Sequence, residues 1–375
     1  MNFGFTEEQD FLREAVRKFV DERAPMAEVR TLMETEHASS DALWSEMAAM
    51  GWLGLLVPDE YGGAGLGWVD FVVLLGETGR TLLPSPLLSS ALAMTAVAEA
   101  GSPAQKEQWL PRFASGELKG SLAWLEASDI PTVDGIALTA EVEGAGASAT
   151  HLLRGEKAFV ADAGGADVFV LIYRDGDELA LALVPKEAEG VSVRSNTSLD
   201  ETKRSGTLCL DGVRVAPADR LSSADAAETA AFLLDCGAVA VTAEALGAAE
   251  GALAITVQYA KDRVQFGSPI GRYQGVKHRL ADIWMDTESI KSLLYYGAWA
   301  IENERSALPR YASLAKAYVA DAFTRIGVDC VQLHGAVGYT LEYDIQLYLK
   351  RSKWVRGAYG DADFHRDRLA SLRDL

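Results

Sequence analysis

At 375 residues, 49% of them hydrophobic, the chain can bury a sizeable core and is expected to form more than one domain. A formal net charge of −19 repels nucleic acid and anionic lipid, so neither is an expected partner, and no uninterrupted apolar run reaches the roughly 18 residues of a membrane span. The opening residues lack the basic and apolar stretches of a secretory signal, and Cys209, Cys236 and Cys330, odd in number and far apart, fit thiols in a reducing cytoplasm better than a disulfide framework or a metal site.

Residues 1–119 read as an all-helical domain. Thr6 followed by Gln9 is a capping-box start, and Phe11, Leu12, Ala15, Val16 and Phe19 recur at the spacing of one helical face. Residues 57–65, with Gly62, Gly63 and Gly65 behind Pro58, interrupt it as a loop. Across residues 120–222 the pattern becomes short apolar runs at 168–172, 179–184, 191–193, 208–210 and 213–215, with Asp175-Gly176 between two of them as a hairpin signal. A small β barrel or sandwich is expected there. From 223 to 375 the helical spacing returns. An alanine-rich, helix-forming run extends from Ala224 to Ala254. Val276, Leu280, Ile283, Thr287, Ile290, Leu294, Gly297 and Ile301 share one face, and Leu314, Tyr318 and Ala322 another, which predicts an antiparallel helical bundle.

Two stretches of that last region carry chemistry. The first closes a helix and contains Arg263, Phe266 and Gly267, with Gln274 shortly after; the second runs from Gln332 and Leu333 through His334, Gly335, Ala336 and Gly338 to Tyr339, where a helix gives way to a glycine-rich turn. Lys261, Arg263, Arg272, Lys277 and Arg279 form a basic concentration in an otherwise acidic chain, and with glycines and aromatics beside them they suit a bound anion. A guanidinium there supplies a charge-assisted contact of roughly 1.5–3 kcal/mol. His37, His151, His278, His334 and His365 are scattered and give no zinc pattern.

Helices, then strands, then a bundle, with these motifs in this order, resemble the acyl-CoA dehydrogenase family over essentially the whole chain. Residues 58–65 are similar to its Pro-Glu-Glu-Tyr-Gly-Gly-x-Gly loop. Arg263, Phe266, Gly267 and Gln274 match its Arg-x-x-Phe-Gly and following glutamine, and Gln332, Leu333, Gly335, Gly338 and Tyr339 match its Gln-x-x-Gly-Gly-x-Gly-Tyr, with Ala336 in place of one glycine. The resemblance implies an α+β fold of three parts: an N-terminal helical domain (1–119), a middle β barrel or sandwich (120–222) and a C-terminal four-helix bundle (223–375). It also implies that Arg263, Phe266, Gln274, Gln332, Leu333, Gly335 and Ala336 hold the nucleotide half of an FAD shared across a subunit interface.

The same resemblance shows what is altered. The family removes an α proton with a carboxylate while the flavin accepts the β hydride. Its two usual glutamate positions fall here on Tyr359 and on Gly237, 26 residues before Arg263. Asp361 and Asp235 are the nearest acids, and Asp235, two residues from Gly237, points about 200° away on a helix. The flavin-ring motif Thr-Glu-Pro-x-x-Gly-Ser-Asp is reduced to Trp124, Leu125, Glu126, Ala127, Ser128, Asp129, Ile130 and Pro131, and in the downstream Gly-x-Lys-x-Trp-Ile-Thr-Asn stretch Phe159 and Ala161 replace the tryptophan and threonine. The expectation is therefore a subunit without its own base in a heterotetramer, like those of actinobacterial steroid side-chain degradation. A second dehydrogenase-like chain would bear the glutamate, an acyl-CoA would be the substrate and an electron-transferring flavoprotein the acceptor. A self-sufficient homotetramer using Asp235 or Asp361, and a silent acyl-CoA-binding scaffold, are the alternatives.

Overall fold

The computed structural model describes residues 5–144, 146–222 and 225–372; Ala224, the expected start of the alanine-rich run, lies outside them. In chain order the elements are α1 (Glu7–Arg23), α2 (Met26–Met33), α3 (Asp41–Ala49), α4 (Trp68–Arg80), α5 (Leu87–Ala100) and α6 (Pro103–Ala114), then β1 (Gly120–Ala123), β2 (Glu141–Glu143), β3 (Thr150–Ala161), β4 (Val168–Asp175), β5 (Glu178–Pro185), β6 (Val191–Ser195) and β7 (Ser205–Val215). There follow α7 (Ala226–Asp262), a small hairpin of β8 (Val264–Gln265) and β9 (Ser268–Pro269), and α8 (Gln274–Asn303), α9 (Leu308–His334), α10 (Ile345–Gly357) and α11 (Ala362–Ser371). Helices, strands and helices thus succeed one another as the sequence implies. These elements gather into two compact units: one takes the chain through Thr31, Trp68–Leu83 and everything from Ala238, the other Leu32–Gly67 and Pro84–Gly237.

In the unit holding most of the strands, β1, β4 and β5 form one sheet, with β1 parallel to β4, and β2, β3, β7 and β6 form a second, antiparallel one. Leu153, Val160, Leu208 and Leu210 of the second sheet meet Phe169, Leu171, Tyr173 and Val184 of the first in one buried cluster, so the two sheets form a sandwich. The runs at 208–210 and 213–215, expected as separate strands, are one strand. Gly212, at φ +73°, is an extra residue between Asp211, opposite Arg154, and Val213, opposite Leu153, and makes a bulge rather than a turn.

In the other unit, α1 begins as the capping box requires: Gln9 N–H donates to Thr6 Oγ1 at 3.2 Å and Thr6 N–H to Gln9 Oε1 at 3.1 Å. Its buried axis runs through Val16 and Val20, whereas Phe11, expected on that face, is 74% exposed. The buried stripe of α9 runs through Ala315, Val319, Ala322, Phe323 and Ile326, one position away from the expected Leu314 and Tyr318. An 18-residue window of α7 is apolar enough to cross a membrane, yet 89% of it is buried inside the protein, which marks a core helix.

Helices α1 and α4 are tied by a charged hub. Glu77, only 4% exposed, accepts from Arg13 at 3.1 Å, Arg17 at 2.7 Å and Arg80 at 3.0 Å. Burial pushes the Glu77 carboxyl up, but hydrogen bonds from the three arginines outweigh it and hold the group below its ordinary value. Glu77→Gln is expected to cost about 2–3 kcal/mol, below the usual figure for breaking a buried pair because the arginines are partly exposed. Since the folded group is the stronger acid, its contribution is present at neutral pH and is lost as pH falls through its folded value. Acid titrations of thermal stability should therefore flatten in the variant; parallel curves for the two proteins would refute the hub.

Candidate cofactor site

At the end of α7 the chain turns sharply. Arg263 N–H still donates to the Tyr259 carbonyl at 2.8 Å, and β8 pairs with β9 around Phe266 (φ +53°) and Gly267 (φ +78°). Two successive positive φ angles make the tight, primed kind of two-residue hairpin turn. For Phe266 that posture is strained, and its ring is 93% exposed, so neither backbone preference nor burial explains it. Tyr273, just before α8, supports the turn by donating its hydroxyl to the Gln265 carbonyl at 3.1 Å and the Phe266 carbonyl at 3.3 Å.

The second motif closes α9. Gly335 adopts φ 66°, ψ −144°, a region open to glycine alone, and a Cβ added there would meet nothing within 4 Å, so its backbone faces open space. Gly338 is needed for another reason: a Cβ would lie 2.5 Å from the Val331 carbonyl. Gln332 and Ala336 are exposed and Leu333 is half-buried. The two motifs meet through Tyr259, one helical turn before Arg263, whose ring centroid is 4.3 Å from that of His334.

The basic residues divide into engaged and unengaged. Arg279 pairs with Asp329 at 3.1 Å and Arg272 donates to Ser268 Oγ at 3.2 Å. Arg263, Lys261 and Lys277 are exposed, and among the described residues their side chains have no hydrogen-bonding or ion-pair partner, nor do the amides of Gln274 and Gln332. Positive charge and amide donors are thus left free at the end of α7, the start of α8 and the end of α9, where Gly335 exposes its backbone.

The position expected of a base is built with equal care but carries no carboxylate. Tyr359 is half-buried at φ +56° and is followed by Gly360 at φ +94°. Lys316, fully buried on α9, donates to the carbonyls of Gly360 at 2.7 Å and Arg356 at 3.3 Å, and His365 Nε2–H donates to that of Tyr359 at 2.9 Å. Asp361 caps α11, accepting from Phe364 N–H at 2.9 Å. Gly237 and Asp235 are both buried within α7. Lys316, His365 and His334 did not emerge from sequence reasoning as site residues. Spacing carries no signal for them, since the expected face of α9 did not include position 316.

Family models match the chain on both sides of its β region: the acyl-CoA dehydrogenase N-terminal domain at residues 6–117 and the acyl-CoA dehydrogenase C-terminal domain at 228–371. An acyl-CoA dehydrogenase of Bacillus subtilis is 30% identical over 360 residues, 93% of each protein. The chain belongs to the acyl-CoA dehydrogenase family. It is similar to a solved variant of the Tcur3481–Tcur3483 steroid ACAD (31% identity, TM-score 0.89, covering 98% of this chain and 97% of that one). It is also similar to the ChsE4–ChsE5 complex from Mycobacterium tuberculosis (28%, TM-score 0.90, 99% and 98%). Acyl-CoA dehydrogenases are oxidoreductases acting on CH–CH bonds, and members bind FAD.

Two groups of residues were expected to meet that cofactor, and their chemistry differs. Those expected at its phosphates, the guanidinium of Arg263, the amides of Gln274 and Gln332 and the open backbone at Gly335, can donate to an anion, and they fit one. In the other unit, the stretch expected to meet a flavin ring is chemically poorer. Lys157, fully buried, pairs with Glu126 at 2.6 Å, and Glu126 also accepts from the N–H groups of Ala137 at 3.1 Å and Leu138 at 3.0 Å, so this carboxylate is committed to the fold. Burial lowers the Lys157 pKa, which Glu126 only partly offsets. Leu125 and Ala161 present no hydroxyl, and Phe159, 62% exposed at φ +50°, is an apolar surface.

Proposed function

We propose that this chain is the non-catalytic subunit of a heteromeric acyl-CoA dehydrogenase and completes the FAD site of a glutamate-bearing partner. The observation that carries the reading is the contrast within one unit: the side chains of Arg263, Gln274 and Gln332 have no partner among the described residues, while position 359 is tyrosine and the nearest acid in sequence, Asp361, is used as a helix cap. Arg263, Gln274 and Gln332 hold the pyrophosphate and adenylate half of FAD, Gly335 and Ala336 let backbone amides approach it, and Phe266 packs against it from the strained hairpin. FAD, when bound, supplies the hydride acceptor. Proton abstraction from the acyl thioester belongs to the partner, because losing a positioned base costs about 3–5 kcal/mol of barrier and a tyrosine of ordinary acidity does not replace it at neutral pH. The ChsE4–ChsE5 complex and the Tcur3481–Tcur3483 steroid ACAD, both similar over nearly the whole chain, each carry two chain names, which supports an unlike partner, and the second, a steroid enzyme, supports a steroid acyl-CoA as substrate. Electrons then pass to an electron-transferring flavoprotein.

The test is purification alone and after co-expression with a glutamate-bearing dehydrogenase chain. FAD is expected only in the complex, at half the number of chains. Arg263→Ala should weaken it about ten- to a hundred-fold, the equivalent of one charge-assisted contact. Stoichiometric FAD and normal acyl-CoA turnover by the isolated chain would overturn the reading.

A further inference from the structure

His334 sits inside the clamp without belonging to its surface. It is 3% exposed. Its Nδ1 lies 2.7 Å from the Cys330 carbonyl, and since a carbonyl only accepts, Nδ1 carries the proton and Nε2 is a bare lone pair. Nε2 is buried and has no hydrogen-bond partner among the described residues. The ring is tilted 32° against Tyr259 at 4.3 Å and has Tyr343 at 5.1 Å, while the Tyr259 hydroxyl donates to the His334 carbonyl at 3.2 Å. Main chain, side chain and ring are therefore all fixed, and the next residue is Gly335, whose unusual angles determine where the following amides point.

Resting on the clamp reading above, we infer that His334 is a positioning residue: it joins the Arg263-bearing end of α7 to the Gly335–Ala336 turn and so sets the spacing between the charged and backbone halves of the nucleotide site. A leucine or phenylalanine would fill the same volume without an orphaned nitrogen, and an unpaired buried acceptor is costly. The imidazole is thus a poor choice for packing alone. Its Nδ1–H tie to Cys330 fixes the ring plane on which Tyr259 rests. The groups facing it are Tyr259 from α7, Tyr343 from the segment before α10 and Cys330 on its own helix, with Asp262 and Asp344 acting on Tyr343. Burial lowers the His334 pKa and the bond to Cys330 raises it less, so the neutral ring is the folded form. Protonation would place a donor and a charge where no acceptor stands, and the joint would open.

The experiment measures FAD affinity by flavin fluorescence in the co-expressed complex, not turnover. His334→Ala should weaken FAD by about tenfold or more, comparable to losing one good contact. His334→Phe, which keeps a ring against Tyr259 but loses the tie to the Cys330 carbonyl, should weaken FAD at pH 7.5 by about threefold, less than His334→Ala does. The wild-type complex should lose affinity as pH falls below the ordinary histidine range, and His334→Phe should not. Overlapping pH profiles, or a His334→Ala complex that melts earlier but binds FAD normally, would overturn the positioning role. Arg263→Ala is the control: if it too leaves FAD affinity unchanged, the clamp reading itself fails, whereas loss with Arg263→Ala and none with His334→Ala removes only the joint.

Discussion

Gly247→Ala is expected to destabilise the protein at the crossing of α4 and α7 by about 3 kcal/mol or more, at or above the upper end for overpacking. A Cβ on Gly247 would lie 1.7 Å from the Gly76 carbonyl oxygen and 2.8 Å from Arg80 N. Neither is a side chain that can rotate away. The crossing is lined with such contacts: a Cβ on Gly79 would be 2.2 Å from the Glu244 carbonyl, and one on Gly251 would be 2.3 Å from that of Arg80. Gly76 and Gly79 are three residues apart and Gly247 and Gly251 four, so each pair shares a helix face and the two backbones touch directly. Accommodating one methyl group means moving a whole helix, and α4 also carries Glu77, whose bonds to Arg13 and Arg17 would stretch with it. Gly275→Ala is the control, since a Cβ there meets nothing within 4 Å and the residue lies in the first turn of α8, where alanine is the better helix former. Thermal melting of the two variants should differ by well over the few degrees that 1 kcal/mol produces. A Gly247→Ala protein melting with the wild type would mean that α4 and α7 separate freely.

How much of this was readable beforehand depended on whether the determining contacts are local. The cap of α1 was readable because Thr6 and Gln9 bond each other three residues apart, and the Asp175-Gly176 hairpin because the turn itself sets the pairing of Asp175 with Glu178. Asp211-Gly212 carries the same dipeptide signal and means something else. There the partner strand β3, 50 and more residues away, keeps both flanking runs paired and absorbs the glycine as a bulge. Helix existence in the bundle was readable from periodicity; the choice of face was off by one position in α9, because the stripe is fixed by what packs on it. The local shape of the two motifs was readable for the same reason as the cap: Phe266 and Gly267 form one short hairpin and Gly335 one helix-ending turn. His334, Lys316 and His365 were not, because nothing in spacing tells a buried polar residue from an exposed one. Lys316 stands between Ala315 and Ala317 like any surface lysine, and only the carbonyls of residues 356 and 360, some 40 positions on, give it a place inside.

That lysine makes the second large prediction. Burial pushes the Lys316 ammonium down from 10.5 to about 7, with Asp361 and Asp321 only partly opposing it. Above pH 7 the folded chain therefore holds a neutral amine, whose two protons match the two carbonyls it meets. The unfolded chain keeps its third proton until about pH 10.5. Between those limits the unfolded state binds more protons, so stability rises with pH, by at most about 1.4 kcal/mol per unit and up to about 5 kcal/mol in all. Below pH 7 both states are protonated and this contribution is gone. Above about pH 10 the slope should reverse, because burial raises the pKa values of Tyr295 and Tyr348 in the same unit and unfolding then releases their protons. Lys316→Met fills the space without titrating. It leaves the Gly360 carbonyl without its short bond, expected to cost about 1–3 kcal/mol near pH 8, and it should abolish the rise between pH 7 and 10. The same carbonyls frame Tyr359, whose positive φ is worth about 1–3 kcal/mol of strain and persists only while its neighbours hold it. Adding Tyr359→Gly to Lys316→Met should then recover part of the lost stability, since glycine accepts that angle without strain and needs no clamp. Melting curves of the wild type and both variants across pH 6–11 decide the matter, and a Lys316→Met protein that keeps the wild-type slope would show that the buried amine is not what titrates.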